Sequence, residues 1–279
     1  MGVHSGQFGV VNGIPSVRNW TINDNGTLAR FVNSATANGH GSKKGVENWN
    51  GGYGAHGAVP ANFPGSKVTF LGYTAPMDDV SGSTGESYGG TVIVDALGIS
   101  WNWASGDVLA HQIGFSGDLI LTHTTGATAI TDAAVSDPEP VGVTKIQTSP
   151  DGTTWTSLPN CVSAQLNMMC ANQAYVNSDT AGATGRKKGV FDWNASITVD
   201  GDSTGNGLIK YNNYYWRFYT TAAYYYDLKW GMVQEFTGLV VEPETDKIIG
   251  HTINVSMSGV VGGVKGFVKS PGASPAVIW

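Results

Sequence analysis

The chain has 279 residues and a formal charge of -6, from 15 Lys and Arg against 21 Asp and Glu. That length accommodates one large core or two of ordinary size, since single domains cluster near about 100–150 residues. The acidic balance leaves no basic excess to neutralise phosphates, which excludes tight nucleic-acid binding through the backbone. With 39 Gly, abundant Thr, Ser, Val, Ile, Tyr and Trp, and only 13% charged residues, the composition predicts a mainly β protein with little helix. So little charge also implies that uncharged surface is buried between subunits. Residues 1–13, MGVHSGQFGVVNG, lack a charged-then-apolar signal, and no run of about 18 apolar residues is present, so a soluble product made in the cytoplasm is expected, with no membrane partner.

In chain order, strands are predicted over 15–22 and 28–33, then a small polar loop, NSATANGHG at 33–41. Trp49, Gly51, Tyr53 and Ala55 alternate onto one apolar face; a turn at Pro60 to Gly65 leads to a strand through Val68, Phe70 and Leu71. Further strands are expected at 91–101, 108–115 and 118–124. The stretch TDAAVSDPEPVG at 131–142 is rich in Asp, Pro and small residues and reads as a linker. Beyond it, strands are expected at 161–167, 207–219, 232–241 and 248–257, with Trp193, Ala195, Ile197 and Val199 on one face and Asn194, Ser196, Thr198 and Asp200 on the other. Only TAAYYYDLKW at 221–230 suggests helix.

The sequence contains a duplication. KKGVENWN at 43–50 recurs as KKGVFDWN at 187–194, an offset of 144 residues, and each follows a small polar loop, the second being NSDTAGATG at 177–185. VLAHQIGFSG at 108–117 resembles KIIGHTINVSM at 247–257, placing His111 over His251 and Ile113 over Ile253 at an offset of 140. The expected organisation is a first β domain at 1–131, a linker at 132–144 and a second β domain at 145–279. Trp49, Trp193, His111, His251, Ile113 and Ile253 are candidate repeated core positions.

Motifs for chemistry are weak. Gly114-Phe115-Ser116-Gly117 lacks the spacing of a nucleophile elbow, and GATGRKKG at 182–189 lacks that of a phosphate loop. Six histidines have no HExxH or CxxC companion, although His111 and His123 are candidates to meet across a hairpin. Asp78-Asp79, Asp137-Glu139 and Glu242-Glu244 are carboxylate pairs in loops, and Trp101-Asn102-Trp103 and Tyr224-Tyr225-Tyr226 are either a carbohydrate platform or core. Cys161 and Cys170 either close a loop in an exported chain or are two reduced strand residues. Lys43, Lys44, Lys187 and Lys188 are candidate contacts to an acidic patch on a neighbouring subunit or ring, or plain solvated lysines. No catalytic, cofactor or metal residue is assigned.

Over nearly its whole length, and twice, the sequence resembles the tail tube (major tail) proteins of long-tailed bacteriophages. The resemblance rests on GQFGVVNGIPSVRNWTIND at 6–24 with its counterpart DGTTWTSLPNCVSAQLN at 151–167. It also rests on the Gly-to-Trp strand words from Gly45 to Tyr53 and from Gly189 to Ile197, and on Ile113, Phe115 and Gly117 near the end of the first copy. The second copy departs by carrying Val255 and Met257 where Phe and Gly stood.

The resemblance implies two tandem β-sandwich or half-barrel domains whose inner sheets join those of their neighbours into a continuous β-barrel lumen. It implies a non-enzymatic virion protein, polymerising as stacked rings into the conduit for genome delivery. Two domains per chain imply trimeric rings with pseudo-sixfold symmetry. The partners are then further copies of the chain, other tail proteins at the tube ends, and double-stranded DNA passing without specific binding. The place is the virion tail, after assembly in the host cytoplasm. Two other classes fit the composition: a capsid decoration or cement protein, and a carbohydrate-binding or glycan-cleaving β protein.

Overall fold

The structure, a computed structural model, describes residues 2–6, 8–11, 14–36, 39–56, 63–74, 84–128, 141–201, 207–222, 225–237, 250–258, 267–269 and 276–277. The first half contributes β1 (Gly2–Gly6), β2 (Phe8–Val11), β3 (Ile14–Asp24), β4 (Leu28–Phe31), β5 (Gly41–Lys44), β6 (Trp49–His56), β7 (Lys67–Tyr73), β8 (Thr84–Asn102), β9 (Ala110–Gly117) and β10 (Thr122–Thr128). The second contributes β11 (Ile146–Ser149), β12 (Thr156–Ser157), β13 (Cys161–Tyr175), β14 (Gly185–Asp200), β15 (Asn213–Tyr219), β16 (Tyr225–Thr237), β17 (Gly250–Met257), β18 (Phe267–Lys269) and β19 (Ala276–Val277). The protein is mainly β, and the only helix among the described residues is short 3-10 turns at Ser34–Thr36, Val141–Val143 and Ser178–Thr180.

Among the described residues every pairing between these strands is antiparallel, and an isolated bridge between Glu47 and Ala183 is parallel. In the first half the pairings return on themselves, in the order β2, β3, β6, β9, β8, β7 and back to β2. Such closure removes free edges where those strands overlap, while β3 and β8 run past it to pair with β1 and β13. The second half runs β11, β15, β16, β17, β14, β13, with β12 on the other side of β11.

The same registers recur in both halves. Tyr53 faces Ile113 and Ala55 faces His111 across β6 and β9, as Ile197 faces Ile253 and Val199 faces His251 across β14 and β17. The β-bulge between Val17 and Asn19 in β3 recurs between Cys161 and Ser163 in β13, again at the offset of 144. That between Val94 and Ala96 in β8 recurs between Val233 and Glu235 in β16. A bulge needs one extra residue at one place, so its recurrence shows that strand geometry is duplicated as well as sequence words. The hairpin β4–β5 corresponds to the outer part of β13–β14: Lys43 lies over Phe31 with 5.8 Å to the ring centroid, and Lys187 over Tyr175 with 5.2 Å.

The halves are joined by backbone. Ala96 to Asn102 of β8 pair with Ser163 to Met169 of β13. Leu97, Ile99 and Trp101 on one strand and Ala164, Leu166 and Met168 on the other all point into a hydrophobic cluster that runs through both halves. Trp101 reaches furthest: its indole packs 5.7 Å from Phe218 and donates to the Tyr219 carbonyl at 2.9 Å.

Several expectations need correction. The suggested helix at 221–230 is strand from Tyr225 on, where β16 begins, and Tyr225, Tyr226 and Leu228 are buried by packing that overrides helix preference. Of the two readings of Cys161 and Cys170, the strand one holds and the loop-closing one falls: both lie on one strand, and nine residues of extended chain span about 30 Å, far beyond disulfide reach. Residues 118–121 precede β10 as irregular chain because Asp118 and Leu119 turn towards Arg186 and Thr184. The expected linker lies mostly outside the described residues, and its end, Val141–Val143, is a 3-10 turn with Val141 buried.

Two substitutions probe this packing. The Trp49 indole lies fully buried against Gly117, where a Cβ would fall inside the ring, so Gly117→Ala should cost about 1–3 kcal/mol of unfolding free energy in urea titration. Tyr211 holds φ 68 in a turn whose first-half counterpart is Gly65 at φ 86, and its side chain is largely exposed. Tyr211→Gly should therefore raise stability by about 0.5–1 kcal/mol, since left-handed backbone costs a side-chain-bearing residue roughly 1–2 kcal/mol.

Candidate functional site

The joint between β8 and β13 creates one run of eight strands, in the order β3, β6, β9, β8, β13, β14, β17, β16. Alternation places each strand's apolar residues on the core side, among them Trp20, Tyr53, Ile113, Ile99, Leu166, Ile197, Ile253 and Val233. The opposite face therefore carries the intervening residues. From the first half these are residues such as Thr21, Asn23, Asn50, Gln112, Ser116 and Ser100; from the second, Gln165, Asn167, Asn194, Ser196, Thr252 and Asn254.

These groups hydrogen-bond one another along the sheet. Asn23 Nδ2 donates to Asn50 Oδ1 at 3.1 Å, and the duplicated pair Asn167 and Asn194 does the same at 3.2 Å. The Thr198 and Thr252 hydroxyls lie 3.3 Å apart, and Gln234 Nε2 donates to Ser256 Oγ at 2.7 Å. Gly52, Gly98 and Gly114 keep the face low; a Cβ at Gly114 would touch only Ala96.

Among the described residues, the rows between the bulges hold no Lys or Arg; they carry Asp192 opposite Met169, with Asp95 at the β8 bulge accepting from Ser116 Oγ at 2.6 Å and Asp200 and Glu235 at the margins. Arg18 sits at the β3 bulge beside His56. Burial first, then that guanidinium, pushes the His56 imidazole below its ordinary value, which favours its neutral form. What results is a broad, cation-poor, hydrogen-bonding surface with a few carboxylates.

The lysine pairs lie elsewhere. Lys43 and Lys44 are on β5, and Lys187 and Lys188 are on β14 beyond the bulge that separates the hairpin tip from the sheet. Lys44 pairs with Glu47 of its own chain, whose carboxylate also accepts from the Leu121 amide at 2.6 Å. Trp49 and Trp193 are fully buried, as are His111 and Ile253; Ile113 and His251 are nearly so. The two histidines differ in partners: His251 Nδ1 lies 3.0 Å from the Gly201 carbonyl, whereas among the described residues neither ring nitrogen of His111 has a partner.

Other sequence candidates are not brought together. His123 is stacked on Tyr88 at 4.5 Å near the surface, away from buried His111. Trp101 is buried and Trp103 donates to the Thr144 carbonyl at 3.1 Å, so this pair forms no exposed sugar platform; Tyr225 and Tyr226 are buried too, and Tyr224 lies outside the described residues. The pairs Asp78-Asp79, Asp137-Glu139 and Glu242-Glu244 also lie outside them. Among the described residues no group of three or more His, Cys, Asp or Glu is placed to hold a metal ion. A cavity of about 430 Å³ beside β11 is lined by Thr148, Pro150, Leu208, Ile209 and Tyr214 among others, with no ionisable acid or base on its wall besides that tyrosine.

Sequence reading had marked Asn194, Ser196 and Thr198 as the polar side of one strand but missed the continuous face. The signal was the absence of Lys and Arg from the outward positions between the bulges of eight separate strands, which gains meaning only once those strands are adjacent. No protein-family model matches the chain, and no curated protein matches it.

Burial pushes the His111 imidazole down to about 4, an effect the nearby Ala55 backbone only partly offsets. Below the ordinary value of 6.5 the unfolded chain takes up a proton that the folded chain refuses, so acid favours unfolding until the pH reaches the folded value. Between pH 6.5 and 4 this should remove about 3 kcal/mol of stability. Urea titrations across that range should show a shallower pH dependence for His111→Leu; an unchanged slope would assign the acid sensitivity to other groups.

Proposed function

We propose that the chain is a structural virion protein that polymerises as stacked rings into a phage tail tube, the conduit for genome delivery, and has no catalytic role. The observation that carries this reading is the continuous eight-stranded sheet with one cation-poor polar face. In the ring, four strands from each half form the lumen wall, and three chains complete it with pseudo-sixfold symmetry.

The dimensions are consistent. Twenty-four strands spaced about 4.8 Å apart enclose a backbone circle of radius roughly 18 Å, which strand tilt widens further. With about 5 Å of side chain on each wall, a duplex of roughly 20 Å passes. The chemistry is consistent too. A few lumen cations per ring would accumulate counterion-release binding over many rings and hold the DNA, whereas Asn, Ser, Thr and Gln offer phosphates no net charge. The remaining partners in this reading are other tail proteins at the tube ends; the chain is made in the host cytoplasm and ends in the virion tail.

Electron microscopy of the purified protein should show hollow tubes, and ring-averaged images or native mass should give three chains per ring. Compact particles without a channel would remove the reading; six chains per ring would remove the trimer. A second expectation concerns the face itself. Ser100→Lys with Gln165→Lys places two cations on adjacent strands, and the resulting rings should bind a short DNA duplex in anisotropy measurements. Affinity should fall with salt by a log–log slope of roughly 0.9 per lysine engaged. Unsubstituted rings should bind at least tenfold more weakly at low salt, and equal binding would show that the face is not in the lumen.

A further inference from the structure

The duplicated registers define what each strand edge should meet. In the second half, the edge of β13 away from β14 is covered by β8, with Ala164 opposite Trp101, Leu166 opposite Ile99 and Met168 opposite Leu97. The corresponding edge of β3, away from β6, is covered instead by β1: Trp20 opposite Gly6, Ile22 opposite His4 and Asp24 opposite Gly2. Trp20, Ile22 and Asp24 are the counterparts of Ala164, Leu166 and Met168 at the same offset of 144. β1 thus occupies the berth that a copy of β8 would fill.

The two occupants are unequal. Leu97, Ile99 and Trp101 are each buried to within 1% of complete, while no side chain of β1 is buried and Val3 is 72% exposed. β1 holds its place by the backbone ladder and by the stacking of His4 on Tyr88, with ring centroids 4.1 Å apart. At Gly6 a Cβ would collide with the Tyr73 carbonyl and the Trp20 indole, so the strand lies close but brings no apolar anchor. Exchange of β1 for a better-anchored strand therefore sacrifices little buried surface.

The chain also holds the strand that matches the berth. β16 is the counterpart of β8 by its shared bulge and its pairing with β17, which puts Glu235, Phe236 and Thr237 in the places of Ala96, Leu97 and Gly98. Their side away from β17 has no strand partner among the described residues. Tyr211 and Asn212 bond Val233 on that side just before it, as Gly65 and Ser66 bond Val94 just before the β8–β13 joint. Among the described residues the edge is thus left open at the position where β8 passes to the other half.

We propose that β1 is a self-cap on the β3 edge, displaced when β16 of a second copy adds there in the register of the β8–β13 joint. Thr237 then lies opposite Asn23, and Phe236 opposite Asp24, of the neighbouring chain. A capped edge keeps the free chain from pairing at random, and its displacement completes a closed ring of equivalent joints. The inference rests on the conduit reading and specifies how its copies meet.

A reversible lock tests it. Ser5 faces Thr21 across β1 and β3, and opposed residues on antiparallel strands have Cα atoms about 4.5–5.5 Å apart, within disulfide range. Burial raises the thiol pKa of Cys161 to about 12 and also raises that of Cys170, which disfavours the reactive thiolate of each. Ser5→Cys with Thr21→Cys, oxidised, should assemble at least tenfold more slowly than the same chain reduced, followed by light scattering and native mass. A chain lacking residues 1–6 should assemble faster than the full chain. Asn23→Cys with Thr237→Cys should give disulfides between chains in assembled rings. An oxidised lock that assembles as fast as the reduced chain would overturn the cap while leaving the conduit reading intact. Full-length and truncated chains that both stay monomeric would instead overturn the conduit reading, and the cap with it.

Discussion

Seven consecutive backbone pairs between Ala96–Asn102 and Ser163–Met169 fix how the two halves of the chain relate. Antiparallel pairing has a side-chain period of two, so a slip of one residue would turn every apolar residue of one half onto the other half's polar face. In the observed register Leu97, Ile99 and Trp101 enter the same core as Ala164, Leu166 and Met168. The outward residues Gly98 and Ser100 meet Asn167 and Gln165. The common core and the common polar face are thus two results of one ladder. Truncating Trp101, which crosses into the second half to reach Phe218 and Tyr219, removes an aromatic anchor of a kind that typically contributes about 3–5 kcal/mol when buried.

Around that ladder the halves match in irregularities as well as in strands. The bulges in β3 and β13, and those in β8 and β16, fall at equivalent residues, and each bends and twists its strand locally. Curvature is therefore repeated from half to half. The matches break where the surroundings differ. Gly65 takes a left-handed turn that Tyr211 also adopts, and His251 finds the Gly201 carbonyl while His111 stays without a partner among the described residues. The same backbone thus tolerates residues that satisfy it unequally.

Much of the secondary structure was legible in the sequence, because period-two alternation such as Trp193, Ala195, Ile197 and Val199 arises directly from burial of one face. The duplication was legible through Lys-Lys-Gly-Val and its following Trp-Asn. The strand at 225–230 was not, since Tyr225 and Tyr226 are drawn into β16 by core packing that no local preference encodes. β1 was missed: its five residues include two Gly and bury no side chain, so its only signature is the edge it pairs with. The polar face was half legible. Asn and Thr at alternate positions identify the outward side of a strand, but which outward sides join depends on pairings between residues more than sixty positions apart.

That distance has a cost during synthesis. At about 5–20 residues per second, the β8 segment ending at Asn102 leaves the ribosome several seconds before its β13 partner is made. The first half can close its own ring of strands in that interval, yet the stretch from Ala96 to Asn102 then presents an unpaired edge bearing Leu97, Ile99 and Trp101. On a polysome, a β13 segment from a neighbouring nascent chain is an equally good match. High expression should therefore favour swapped dimers over misfolded monomers, a kinetic liability that follows from joining the halves by backbone.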